Sequence, residues 1–163
     1  MRKSIFMFMV MLMVVAAFAQ SRTGQTPLQG VWRVAEVTTT GPNAATNRSP
    51  QPGFYIFTGR HYSIVTVNSA NPRPDLPQDT NTATAAQLNA VWGPFTGQSG
   101  TYEVSGSTVT TRPLAAKNPG VMASGNFATS SFKVEGSTLT LTSTGGQRGP
   151  AANPTTTKLT RVE

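Results

Sequence analysis

The stretch LQGVWRV, Leu28 to Val34, places a tryptophan two residues after a glycine near the start of a polar, threonine-rich chain. Alternate residues of a β-strand point to the same face. The leucine, the tryptophan and the second valine would therefore lie on one apolar side. This pattern predicts a first strand over Gln29–Thr38.

The same period of two continues along most of the chain after Gln20. Seven further strands are predicted, and turns rich in glycine, proline and asparagine separate them. They cover Phe54–Phe57, His61–Val67, Thr101–Val104, Thr108–Arg112, Ala128–Val134, Thr138–Thr142 and Thr156–Val162. Consecutive strands joined by short turns favour antiparallel hairpins.

Two of the predicted hairpins have similar sequences, TYEVSGSTVT from Thr101 and SFKVEGSTLT from Ser131. In each, the glycine stands where a tight turn needs a residue that tolerates a positive φ. Apolar residues alternate with threonines, so one face would be buried and the other would face water, which is typical of an antiparallel meander. The residues expected on the buried face are Tyr102, Val104, Val109, Phe132, Val134, Leu139 and Leu141.

One short helix is predicted around residues 82–92, within TNTATAAQLNAVW. Threonine or asparagine can cap its start, and Gly93-Pro94 ends it. Eight mostly sequential antiparallel strands predict an all-β fold, an eight-stranded up-and-down barrel, because closure removes exposed sheet edges. A barrel of this size is either filled by side chains or holds one small ligand.

The N-terminal residues have the pattern of a secretory signal. Two basic residues precede an apolar run of about fourteen residues, and Ala17-Phe18-Ala19 offers a cleavage site. We expect an exported protein, periplasmic or secreted after cleavage near Ala19, without stable membrane insertion, because the run is short for a membrane span. An uncleaved membrane anchor is the alternative. The predicted organisation is a signal peptide over residues 1–19, an extension over residues 20–27 and a barrel domain over residues 28–163.

The composition excludes some classes of function. The chain contains no cysteine, so it can form no disulfide and carry no lipid-modified cysteine. The net charge is +7, and loss of Arg2 and Lys3 with the signal would lower it by two. The remaining basic residues are scattered without a run or stripe. We therefore expect no nucleic-acid partner.

The opening stretch and the end of the chain together resemble lipocalins. Gly30-Val31-Trp32 is similar to the Gly-x-Trp motif that opens the first lipocalin strand, and the closing KLTRVE places Arg161 in the last strand. The order of FYIFTGRHYS, SGTYEV and LTLT between them resembles bacterial lipocalin-like domain proteins. The resemblance implies a ligand-carrying barrel whose base is closed by an arginine packed across the tryptophan. The expected closure residues are Gly30, Trp32 and Arg161.

The residue pattern supports that contact independently. Leu159 and Arg161 share one face of the last predicted strand, so the arginine should follow the leucine inward. A guanidinium over an indole ring stabilises a fold by about 0.5–2 kcal/mol. The alternative is that both are ordinary surface residues.

Residues able to catalyse a reaction are few. The chain has one histidine and six acids, with no sequence cluster of metal ligands and no nucleophile elbow around a serine. We therefore expect no catalytic residue, no metal site and no cofactor. A barrel-interior hydrolase or isomerase using His61 and Asp75 stays open, because folding can bring distant triad residues together.

The aromatic residues favour ligand binding. Tyr62, Trp92, Phe95 and Tyr102 come from segments that could meet at one barrel mouth, where an apolar cavity with a few polar groups would form a ligand site. The alternative is that these rings fill the core.

One acid could also belong to such a site. Unbroken alternation from Trp32 would point Glu36 into the barrel, where a buried carboxylate needs a partner such as Arg112. A bulge in the first strand would instead turn Glu36 outward.

The predicted function is the binding of a small apolar or amphipathic molecule by an exported, non-enzymatic, lipocalin-like barrel. The first alternative is a protein-interaction or inhibitor module that acts through its loops. The loop of residues 68–78 motivates it, because NPRPDLP has three prolines in seven residues and should be stiff. The second alternative is the enzyme that would use His61 and Asp75.

Overall fold

The computed structural model describes residues 26–163. The predicted signal peptide, residues 1–19, and most of the predicted extension, residues 20–27, lie outside the described residues. From Thr26 onward the chain forms a closed, eight-stranded antiparallel β-barrel with one short α-helix. The predicted fold class is confirmed.

The described part of the chain contains ten strands, one α-helix and two short 3-10 turns. The strands are β1 (Gly30–Thr39), β2 (Ala45–Asn47), β3 (Phe54–Phe57), β4 (His61–Val67), β5 (Phe95–Ser105), β6 (Thr108–Ala116), β7 (Ala128–Glu135), β8 (Thr138–Gly146), β9 (Gly149–Pro150) and β10 (Thr155–Arg161). The helix α1 covers Ala85–Trp92, and the 3-10 turns cover Thr80–Thr82 and Pro119–Met122.

Eight of these strands close the barrel. They pair in the order β1-β3-β4-β5-β6-β7-β8-β10, and β10 pairs again with β1. The short strands β2 and β9 pair with β1 and β8 outside this ring. All eight predicted strands are present, but β5 begins at Phe95, six residues earlier than predicted. Strands β6 and β8 also run four residues further than predicted, to Ala116 and Gly146.

The two ends of the barrel differ in their connections. At one end, which we call the base, tight turns join β3 to β4, β5 to β6 and β7 to β8. Gly106 and Gly136 occupy the last two of these turns with φ of +57°, as the repeated hairpin sequence predicts. The long connections all lie at the opposite, open end, and they cover residues 40–53, 68–94, 117–127 and 147–154.

Trp32 and Arg161 close the base. Trp32 is completely buried, and its indole Nε1 donates a hydrogen bond to the Leu28 carbonyl at 2.7 Å. The Arg161 guanidinium lies 4.0 Å from the centre of the indole ring. It also donates to the carbonyl of Gln29 at 2.7 Å and to that of Pro27 at 3.0 Å. The predicted contact between the two closure residues is confirmed.

The same contact explains why a glycine stands at position 30. Gly30 has a φ of +133°, which side chains rarely allow, and a Cβ there would collide with the Arg161 guanidinium and the Glu163 carbonyl. The spacing of glycine and tryptophan therefore leaves room for the arginine that covers the indole.

Large side chains fill the base half of the barrel. The predicted apolar face is confirmed, because its members are buried or pack against the buried cluster. The Phe57 and Tyr102 rings meet edge to face at 5.2 Å, and burial of each large side chain contributes about 1.5–3 kcal/mol. The fully packed residues are Leu28, Trp32, Phe57, Tyr62, Tyr102, Val109, Leu139, Leu141 and Leu159.

A bulge in β1 reverses the direction of Glu36. Val34 pairs with Leu159 and Glu36 pairs with Lys158, so Ala35 is an extra residue in this strand. Glu36 therefore lies on the outer face, 2.8 Å from the Lys158 ammonium and 3.6 Å from Arg48. The inward direction predicted from unbroken alternation is wrong, and the alternative of a bulge is confirmed.

The α-helix begins later than its sequence pattern predicts. Thr84 caps it, and Thr84 and Gln87 form a reciprocal capping box. The preceding Thr80–Thr82 form a separate 3-10 turn, which Asp79 caps. The helix buries no residue completely, so it adds little to the core.

We expect the substitution Arg161→Ala to lower the free energy of unfolding by about 2–3 kcal/mol, because it removes the cation–π contact and leaves two carbonyls without their charged donor. Arg161→Lys should recover part of this loss, since it keeps the charge but not the planar fork. Chemical denaturation measures both values. Arg33→Ala, an exposed arginine on β1, is the control. An unfolding midpoint unchanged by Arg161→Ala would contradict a closing role.

The ion pairs of Glu36 should give a small, pH-dependent contribution to stability. The hydrogen bond from Lys158 lowers the pKa of Glu36 below its ordinary value of 4.5, and the charges of Lys158 and Arg48 act in the same direction. The contribution is therefore present above the ordinary carboxyl pKa and is lost as the pH falls through the lowered value.

Thermal unfolding of Glu36→Gln across pH 3–7 tests this expectation. The midpoint of the variant should lie slightly below that of the unsubstituted protein at pH 7, and the difference should shrink toward pH 3. The control is Glu103→Gln, because Glu103 forms no ion pair with another described residue. A difference that grows on acidification would contradict the assignment.

Candidate functional site

A cavity of about 250 Å³ lies inside the open half of the barrel, above the packed base. We call it the inner cavity. Its walls come from the inward faces of β1, β3, β4, β5 and β10, with part of the 40–53 connection above them. The residues that line it are Val34, Val37, Pro50, Gln51, Tyr55, Ile64, Thr66, Val67, Asn68, Thr96, Gln98, Thr155 and Thr157.

The inner cavity combines aliphatic groups with neutral hydrogen-bonding groups. Its lining contains no carboxylate, ammonium, guanidinium or imidazole. Burial raises the pKa of the Tyr55 hydroxyl, although the Thr157 side chain acts in the opposite direction. Tyr55 therefore stays a neutral phenol at physiological pH, and the cavity offers hydroxyl and amide groups without a formal charge.

The inner cavity opens toward solvent through a recess of about 420 Å³. Both spaces share Val37, Pro50, Val67, Asn68 and Thr155. The recess adds residues of β2 and of the 68–70 segment, which stand at the open end. A molecule could therefore reach the interior between the 40–53 and 68–94 connections.

A second space of about 550 Å³, which we call the lateral cavity, lies in the barrel wall between β6 and β7. These strands pair only from Thr108–Ser131 to Thr111–Ala128. Beyond that point β6 continues to Ala116 without β7, and the wall is completed by the 117–127 connection and by residues around β9. Gln98, Thr111 and Pro113 line its inner side.

Several contacts hold the 117–127 connection over this gap. The Ala116 amide donates to the Met122 sulfur at 3.2 Å, and the Gln147 amide donates to the Phe127 carbonyl at 3.2 Å. Arg112 lies 5.5 Å from the centre of the Phe127 ring. The covering segment is thereby attached to β6 and to the end of β8.

Two of the predicted ligand residues lie in the base half of the interior rather than at the mouth. The Tyr102 hydroxyl donates to the Thr58 carbonyl at 2.6 Å, which fixes the ring at the base. Tyr62 is buried, and its hydroxyl makes no hydrogen bond with another described residue. Burial raises the pKa of Tyr62 to about 12, while the Thr111 side chain acts in the opposite direction. Neither ring lines the inner cavity.

The other two predicted aromatic residues lie outside the barrel. Trp92 is 48% exposed at the end of α1, and it meets the Phe95 ring edge to face at 5.8 Å. The Arg73 guanidinium lies 5.4 Å from the centre of the Phe95 ring, and it also donates a hydrogen bond to the Val91 carbonyl. The expectation that four aromatic rings meet at one mouth is therefore wrong.

An outer groove of about 590 Å³ lies beside these residues, on the outward face of β3, β4 and β5. The NPRPDLP stretch forms one side of it, and Lys117 donates to the carbonyls of Trp92, Gly93 and Phe95 at its helix end. The stiff loop is thus packed along the barrel wall. Exposed apolar residues on the same wall are Phe54, Ile56 and Val65.

The predicted pairing of Glu36 with Arg112 does not occur. The carboxylate is on the outer face with Lys158, and Arg112 is exposed on the outer face of β6 beside Phe127. Neither residue lines the inner cavity, so its polar character comes from threonine and amide side chains instead.

The structure also separates the two residues of the enzyme alternative. His61 is exposed at the base, where β4 begins. Asp75 lines the outer groove beside Val65 and Val67, toward the other end of β4. The distance along the strand is roughly 13–20 Å, so this pair cannot act as one site. Within residues 26–163 no group of three or more acids, histidines and cysteines could hold a metal ion.

The sequence analysis missed the residues that line the inner cavity. Thr96 and Gln98 lie on the inward face of β5 because they are six and four residues before Tyr102, in phase with it. The same phase places Phe95 on the opposite face. Extending the alternation of inward and outward residues backward from Tyr102 would have predicted that Thr96 and Gln98 point inward and that Phe95 points outward.

Comparisons with known proteins add little about function. No protein-family model matches the chain, and no curated protein matches it. A solved structure of an uncharacterized protein from Bacteroides eggerthii is similar over 82% of this chain and 98% of its own, with 11% identity and a TM-score of 0.46. No helix in the described part of the chain is long and apolar enough to cross a membrane.

Proposed function

We propose that this protein is an exported, lipocalin-like carrier that binds a small, neutral, amphipathic molecule in the inner cavity. The observation that carries the proposal is the division of the barrel into two halves. The base half is packed around Trp32, whereas the open half encloses about 250 Å³ between hydroxyl, amide and aliphatic groups. Concave, mostly neutral sites of this kind favour small ligands.

The chemistry of the lining supports a neutral ligand. A charged ligand would lose its hydration on entry and find no opposite charge among the lining residues, which is strongly unfavourable in a partly buried site. A hydroxyl, amide or carbonyl group could hydrogen-bond to Thr66, Thr96 or Gln98. Apolar atoms of the same molecule could pack against Val34 and Ile64. These side chains match an amphipathic molecule better than a purely apolar one.

Export is part of this proposal because the predicted signal sequence supports it. The absence of cysteine is compatible with either the periplasm or the exterior, since the barrel is held by packing and strand pairing. A carrier with an open mouth would exchange its ligand with the surrounding solution.

The interaction module is a second candidate, and the outer groove favours it. Phe54, Ile56 and Val65 expose apolar surface on one wall, beside the packed NPRPDLP stretch. Such surface can mark an interaction site. This function would use the outer wall and would not need an open interior, so blocking the inner cavity separates the two candidates.

The substitution Thr66→Phe tests the proposed function by filling the inner cavity. We expect it to weaken binding of n-octanol at least ten-fold, measured by chemical-shift titration of the isotopically labelled protein. Thr160→Phe makes the same change on the exposed outer face of β10 and should leave affinity unchanged. Thermal unfolding of both variants confirms that they are folded. Equal affinity in the two variants would overturn binding in the inner cavity.

Native mass spectrometry gives a second measurement without a chosen probe. Protein purified from its own host should carry an additional small mass, which disappears on partial denaturation. The same preparation of Thr66→Phe should lack that mass, whereas Thr160→Phe should retain it. A mass retained by both variants would place the bound molecule elsewhere.

A further inference from the structure

One side chain borders both the inner cavity and the lateral cavity. Gln98 is the residue common to their linings. It lies on the inward face of β5, paired with Ile64 of β4 on one side and with Ala116 of β6 on the other. Its side chain therefore stands between a compartment inside the barrel and one in the opened wall.

The two compartments differ in size and in the way they are formed. The inner cavity is about 250 Å³ and is bounded by paired strands. The lateral cavity is about 550 Å³ and exists because β6 and β7 stop pairing after Thr111 and Ala128. The two spaces therefore come together at Gln98, which borders both of them.

We propose that the Gln98 side chain separates the two spaces and is thereby a specificity-determining residue that limits the length of the buried part of the ligand, an inference that rests on the proposed function. With the side chain in place, the buried part of the ligand is confined to the inner cavity, and any further length stays in the solvent-open recess. At the packing density of protein interiors, about 0.74, this space holds roughly ten non-hydrogen atoms. The ligand class is therefore a compact neutral molecule, because methylenes beyond this number cannot pass Gln98 into the lateral cavity and gain no further burial.

The polar amide makes this wall selective as well as bulky. Gln98 carries both a donor and an acceptor, so it can hydrogen-bond to the end of a ligand that just fills the inner cavity. A longer apolar chain pressed against it would leave the amide without a partner. Both the size and the polarity of the Gln98 side chain therefore disfavour a longer apolar ligand.

A series of n-alkanols from butanol to decanol tests the proposal. In the unsubstituted protein, affinity should rise about four-fold per buried methylene and stop rising once the chain fills the inner cavity. In Gln98→Ala the rise should continue to longer alkanols. Gln98→Leu keeps most of the bulk and should retain the limit. Glu103→Ala, on the outer face of the same strand, should not change it.

The outcomes separate this inference from the proposed function. An identical length limit in Gln98→Ala and the unsubstituted protein, with short alkanols still bound by both, would overturn the role of Gln98 alone. Loss of the length limit in Gln98→Leu would also overturn this role, because leucine keeps most of the bulk of glutamine. Failure of every alkanol to bind would count against the inner-cavity site itself and against this inference with it.

A crystal structure of Gln98→Ala under xenon pressure gives a measurement that does not require a ligand. Xenon should occupy the position vacated by the side chain and connect the two cavities. A junction closed by movement of the 117–127 connection would overturn the proposal even if short alkanols bind.

Discussion

The contact between Trp32 and Arg161 determines how the rest of the barrel is arranged. It joins the first and last strands across a separation of 129 residues, so it forms only when the sheet has closed. The arginine also hydrogen-bonds to Pro27 and Gln29, which holds the segment before β1 under the base and buries Leu28. Arg161 thereby joins the two strands that close the sheet and covers the base of the barrel. The free interior volume lies at the opposite, open end.

The division into a packed base and an open half follows from the residues available on each strand. Inward positions near the base carry Phe57, Tyr62, Tyr102 and Leu139. The inward positions that line the inner cavity carry mostly threonine, valine and glutamine, with Tyr55 and Ile64 as larger exceptions. Since an eight-stranded barrel is only just wide enough to be filled by large side chains, smaller ones leave space. The cavity is therefore a consequence of side-chain size and needs no change in the backbone.

Most of the fold could be predicted from the sequence because strand alternation and glycine turns are local signals. One prediction failed where a single extra residue reversed the alternation of inward and outward side chains along a strand. The extra residue Ala35 turned Glu36 outward, and no sequence pattern distinguishes a bulge from a continuous strand at that point. The start of β5 was missed because TGQSG, residues 96–100, contains small and polar residues typical of loops. Because the predicted strand began only at Thr101, the sequence did not show that Phe95 and the neighbouring Trp92 lie on the outer wall.

The candidate site was less predictable than the fold because it depends on unequal strand lengths. The lateral cavity exists where β6 extends past the last pair with β7, and the 117–127 connection then has to complete the wall. Such a connection buries less apolar surface than a strand pair, so it is the part of the wall most easily displaced. The residue that faces this weaker wall from inside is Gln98, which belongs to a strand paired on both sides. A barrier on the rigid strand β5 keeps the inner compartment defined even when the segment outside it moves, and this is a physical reason for a large polar residue at that position.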